Sequence, residues 1–166
     1  MSTRVYIPST TGRLRDLLVA GGIGPVPVLA HAVTEALRAG FADAGEEEWE
    51  YAALTAAAQD SLALVGETDR PRRVVVVAEA DSVTPVGGAE SSLVEVDEVV
   101  PLRRVVAVHV DSDEAETDVA AAVEAWPRAE DGDQTALQLV ERCLDHEPGW
   151  FATQEIGDLV APDGPR

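Results

Sequence analysis

Two stretches of the sequence constrain the fold more than any other: residues 73–80, which contain Val74-Val75-Val76-Val77-Ala78, and residues 105–110, Val-Val-Ala-Val-His-Val. A strand with one wet face alternates apolar and polar residues. A strand covered on both faces reads as a continuous β-branched run. The chain must therefore contain a sheet with interior strands and helices layered over it, which predicts an α/β or α+β domain.

The remaining segments supply the partners of these strands. A first strand is predicted at residues 4–8, ended by Pro8, and Ser9 or Thr10 is placed to cap a helix carrying Leu14, Leu17 and Leu18 at helical spacing. Gly21, Gly22, Gly24 and Pro25 stop that helix, and residues 26–33 read as a second strand. A short helix over 34–41 is followed by a long one over 46–65, with a stripe of Tyr51, Leu54, Ala58, Leu62 and Val65. Glu46, Glu47 and Glu48 complement the dipole at its start. After the run at 73–80, residues 84–92 read as a Gly-rich loop and 93–100 as a half-exposed strand. Asp111 and Glu114 have capping-box spacing for a helix to Trp126, and residues 127–133 form a charged loop. A last helix runs to Glu147, and residues 150–156 close the chain as a strand. The first half resembles successive βαβ crossovers, which enter a sheet in parallel. The expected architecture is one domain over residues 1–160, a mixed sheet of five to six strands with helices packed on it, and a loose tail at 161–166.

Charge and cysteine content bound the function. The 166 residues carry 31 acids against 12 bases, a net charge of −19. Every base is arginine, and the acidity is concentrated after residue 42. Such a chain is not built to grip phosphate backbones, so direct nucleic-acid binding is not expected. A partner, if there is one, is expected to present a basic surface. No apolar run approaches the roughly 18 residues of a membrane span, and the start lacks the apolar core of a signal peptide. With Cys143 as the single cysteine, a cytoplasmic protein without membrane contact is the expectation.

Candidate chemistry lies at strand ends. Ser9, Thr10 and Thr11, followed by Gly12 and Arg13, sit where a strand turns into a helix, a common place for ligand anions, but neither P-loop nor dinucleotide spacing is present. His109 near the end of one apolar strand, Asp111 two residues on, and His31 near the end of the second strand are the candidate catalytic residues. On neighbouring strands they would line one cleft, and a His–Asp pair with a hydroxyl is the raw material of general-base chemistry. The alternative is that both histidines are hydrogen-bonded sheet residues. Asp111, Asp113 and Glu116 do not make a calcium loop, since position six is Glu116 and position twelve Ala122. Cys143 and His146 share a helical face without further soft ligands, so no metal and no cofactor are expected.

Several segments together carry a family resemblance: residues 4–8, Ala32-Val33-Thr34, Glu47-Glu48-Trp49-Glu50-Tyr51, residues 73–78, Val100-Pro101-Leu102, and Trp150-Phe151-Ala152-Thr153-Gln154-Glu155. The chain resembles an uncharacterised family of small acidic actinobacterial proteins, a domain of unknown function. The resemblance spans most of the chain and implies no activity and no catalytic residue. Two functions follow as expectations: a non-catalytic interaction or regulatory domain using its acidic face, or a small enzyme or ligand-binding domain with a cleft around His31, His109 and Asp111.

Overall fold

The computed structural model describes residues 1–161, and the expected tail lies, from residue 162 on, outside the described residues. The chain forms a single α/β domain. Its central strands are β1 (Thr3–Ser9), β3 (Val28–His31), β4 (Val74–Ala80) and β8 (Val105–Val110). Shorter strands β5 (Val83–Pro85) and β6 (Leu93–Val96) extend one side, and β9 (Gly149–Phe151) closes the other. The order is β5-β6-β3-β1-β4-β8-β9. A separate two-stranded sheet joins β2 (Gly22–Ile23) to β7 (Val100–Pro101).

The main sheet thus has seven strands where five to six were expected, because the Gly-rich loop contains β5. All of its ladders run antiparallel, which corrects the parallel crossovers expected of the first half. The reason lies between α1 (Thr11–Ala20) and β3. Gly21 ends the helix in a left-handed conformation at φ 77°, its N–H bonded to the Leu17 carbonyl. Gly22 and Ile23 then pair with β7, and the chain bends through residues 25–27 before β3 begins. Gly22 sits close to β7, and a Cβ there would meet Val99 Cγ1 at 3.0 Å and the Val100 carbonyl oxygen at 3.2 Å, tighter than ordinary contact.

The register sorts the core into two faces. Val5, Ile7, Val74, Val76, Val108 and Val110 point to the side covered by Leu14 and Leu17 of α1 and by Ile156 and Leu159 of α6 (Ile156–Leu159). Tyr6, Val75, Val77 and Ala107 point to the other, against Ala53, Ala57 and Ala58 of α3 (Glu46–Ser61). Alanines let this helix lie close to the sheet, so Tyr51 of the expected stripe is turned outward and exposed. Leu62, just past α3, packs with α4 (Glu116–Glu130) and α5 (Gln134–Glu141) in a third cluster that also buries Cys143.

Three local expectations are corrected. Helix α4 continues through Pro127 to Glu130, and α5 starts after Asp133 caps it. The last helix ends at Glu141 and gives way to a 3-10 turn at Arg142–Asp145. The closing strand stops at Phe151, where a 3-10 turn and α6 take over. No helix among the described residues is long and apolar enough to cross a membrane.

Candidate functional site

The sheet opens beside its centre. Strand β1 matches β4 at seven consecutive positions but touches β3 at one, Tyr6 opposite His31. Beyond that pair no further ladder pair joins the two strands, although they remain neighbours. A cavity of about 910 Å³ fills the opening, with residues 7–9 on one side and 28–30 on the other. Its roof comes from α1 (Arg13, Asp16, Leu17), its outer rim from Pro25 and Pro27, and its far wall from Asp60 and Leu64 together with Trp126 and Glu130 of α4. That volume is in the range of small-molecule sites. Among the described residues no cluster of three or more potential metal ligands occurs.

His31 stands at that single pair, and it is buried. Its Nε2 lies 2.6 Å from Asp60 Oδ2, and its Nδ1 lies 2.8 Å from Ser92 Oγ. A carboxylate only accepts, so Nε2 carries the proton and donates to Asp60. In the neutral ring Nδ1 then accepts from the Ser92 hydroxyl. Ser92 is itself held: its carbonyl accepts from the Ala32 N–H at 2.9 Å, while Thr34 Oγ1 donates to the neighbouring Ser91 carbonyl at 2.6 Å.

The three residue types are those of a hydrolase triad, but their exposure is inverted. Ser92 is 8% exposed and is not among the cavity-lining residues, whereas the Asp60 side chain is 47% exposed and reaches the cavity. A nucleophile must meet its substrate, and here the hydroxyl is the buried end. Both ring nitrogens of His31 are engaged, so the group presented is Asp60. Oδ2 is held by a charge-assisted bond, and Oδ1 accepts none among the described residues. The arrangement is a fixed hydrogen-bond acceptor in a largely apolar wall.

The other candidates are distributed differently. Ser9 lines the same cavity as His31. Thr10 caps α1 by accepting from the Arg13 N–H at 3.1 Å, and Thr11 Oγ1 accepts from the Arg70 N–H at 3.0 Å. The turn into the helix already holds an anion of the chain's own: Asp69 accepts from the Gly12 N–H at 2.9 Å and from the Gly66 N–H at 2.7 Å.

His109 faces the same side of the sheet as His31, but β1 and β4 lie between their strands. Three interstrand steps amount to roughly 14 Å. His109 lines a separate cavity of about 250 Å³ with Tyr51, Leu144 and Glu147. Burial holds its imidazole below the ordinary range, against a backbone hydrogen bond at Pro148 that works the other way. Asp111 does not cap a helix. Its side chain is fully buried and takes Arg73 Nε and the Arg73 N–H on Oδ2 and Arg73 Nη2 on Oδ1, each at 2.8 Å. The same guanidinium donates to the His146 carbonyl at 2.9 Å. His146 pairs with Asp118 at 2.8 Å. These contacts tie β4, β8 and the 3-10 segment together, and they engage both oxygens of a carboxylate that is closed off from solvent.

Asp60 and Ser92 had no signature in the sequence, being 29 and 61 residues from His31. One weak signal existed. Asp60 is an acid in the last turn of α3, where the helix dipole disfavours it, so it needs a tertiary partner.

Residues 3–160 match the family of unknown function DUF6912. The chain belongs to that family. This agrees with the resemblance read from the sequence, which likewise carried no activity. No curated protein and no solved structure matches the chain.

Proposed function

We propose that this DUF6912 domain binds a small molecule in the cavity between β1 and β3, without catalysing its turnover. The observation that carries the reading is a cavity of about 910 Å³ beside two central strands that share a single ladder pair, with Asp60 fixed by His31 on the wall. Continued pairing of β1 with β3 would have satisfied backbone groups at alternate positions of the two strands, and an opening in mid-sheet gives up that pairing. Pro8, Pro25 and Pro27 line it and bring no N–H that would need a partner. Binding is favoured over catalysis because both nitrogens of His31 are engaged and Ser92 does not line the cavity. Of the cleft expected from the sequence, the reading keeps His31 and Ser9 and leaves out His109 and Asp111. The test is a fragment screen by ligand-observed NMR against wild type and Ala63→Trp, which places a bulky ring at an exposed cavity-lining position. Fragments that bind wild type and are lost in the variant support the reading. A screen in which no fragment distinguishes the two proteins refutes it.

The net charge of −19 favours a second reading, a regulatory role through docking of a basic protein surface on the acidic face in a reducing cytoplasm. Such binding weakens as salt rises, and a salt-insensitive complex would exclude it.

A further inference from the structure

The cavity's charges point to the class of ligand. Its formally charged side chains are three carboxylates, Asp16, Asp60 and Glu130, against the one guanidinium of Arg13. Each carboxylate keeps acceptor capacity. Asp60 spends one oxygen on His31, and Glu130 spends one on Trp126 Nε1 at 2.8 Å. Asp16 accepts no side-chain hydrogen bond among the described residues. An anion entering here meets excess negative charge in the walls and a net charge of −19 on the whole protein. A cation meets attraction from both, and an indole wall at Trp126 adds to it. The inner part of the cavity has a different character. Leu17, Ile23, Val28 and Ala30 line it, and they belong to or pack on the main core cluster.

We propose that the cavity takes a small primary amine with an apolar body, its ammonium on the free Asp60 oxygen and its hydrocarbon part along Leu17, Ile23 and Val28. The class deepens the binding function proposed above and rests on it. An ammonium matches the site because it has three donors and no acceptor. An extended peptide added as a strand does not match. Pro8 and Pro27, on opposite sides of the opening, have no N–H to offer to such a strand. His31 then acts as a positioning residue, fixing the Asp60 carboxylate so that Oδ1 stays turned to the ligand.

Isothermal titration with hexylamine, hexanol and hexanoate at pH 7 tests this. Hexylammonium is expected to bind at least tenfold more tightly than hexanol, and hexanoate not at all. Asp60→Asn should lower hexylamine affinity about tenfold and hexanol affinity by a much smaller factor, its folding checked by the melting temperature. Ala63→Trp should abolish binding of both. Equal binding of hexanol and hexylamine, or hexylamine binding untouched in Asp60→Asn, overturns the amine assignment while the cavity stands. Failure of all three compounds to bind overturns the amine assignment too, and if the fragment screen also finds no cavity ligand the binding function falls with it.

Discussion

Replacing Arg73 by methionine removes the side chain that satisfies Asp111, the most deeply buried carboxylate among the described residues. Asp111 is fully buried and Arg73 nearly so, and their pairing is bidentate. In the variant, Asp111 retains only the residue-73 backbone N–H, and the His146 carbonyl loses its donor. Removing one partner of a buried pair costs about 3–5 kcal/mol, because the remaining charge is left desolvated. Against a total stability of roughly 5–15 kcal/mol this is a large fraction. For a chain of this length it corresponds to a fall in Tm of roughly 6–20 °C. Urea denaturation followed by circular dichroism, with the slope compared between proteins, measures the loss. The double variant Arg73→Met with Asp111→Leu removes both charges and should recover most of the stability, since apolar replacement of a whole buried pair is often near neutral. A single variant within about 1 kcal/mol of wild type, or a double variant no better than the single, would refute the structural role given to Asp111.

Three further outcomes follow from the surroundings of titrating groups. Burial keeps His109 neutral in the folded protein to a lower pH than in the unfolded chain, whose ordinary value is 6.5. Its contribution to stability is thus present above about 6.5 and is lost as the pH falls through the folded value, so His109→Gln should lose less stability than wild type between pH 7 and 5. Burial also raises the Cys143 thiol to about 11, so iodoacetamide at pH 8 should label it far more slowly in native protein than in urea. For Glu116, burial opposes ionisation but hydrogen bonds from Arg70 and Arg72 outweigh it and lower its pKa. Wild type should exceed Glu116→Gln in stability at neutral pH, with the gap closing as the pH falls below the unfolded value of 4.5. A gap that persists at pH 2 would contradict this.

What could be read from the sequence was local. The valine runs at 74–78 and 105–110 are interior strands, Thr10 caps α1, and Cys143 is a core thiol, each because neighbouring residues determine the outcome. Strand direction was not local. The seven residues 21–27 span up to roughly 23 Å when extended. That is enough to cancel the return of α1 and to start β3 beside the end of β1. The cluster from Gly21 to Pro25 was read only as the end of the helix, and nothing nearby showed the pairing of β2 with β7. The site failed for the same reason. His31 was visible as a polar residue at a strand end, but its partners came from the last turn of a helix and from the loop after β5. Asp111 was read as a cap or an acid because Arg73, 38 residues away, is adjacent only in the fold.

The account turns on the cavity between β1 and β3 being the place where ligand binds. Chemical-shift perturbation in ¹⁵N-labelled protein titrated with hexylamine tests this residue by residue. The predicted result is saturable shifts at Ile7, Ser9, Ala30, His31 and Asp60, with His109 and Val110 unmoved. Shifts gathered around His109 and Glu147, or the absence of any saturable shift, would contradict it.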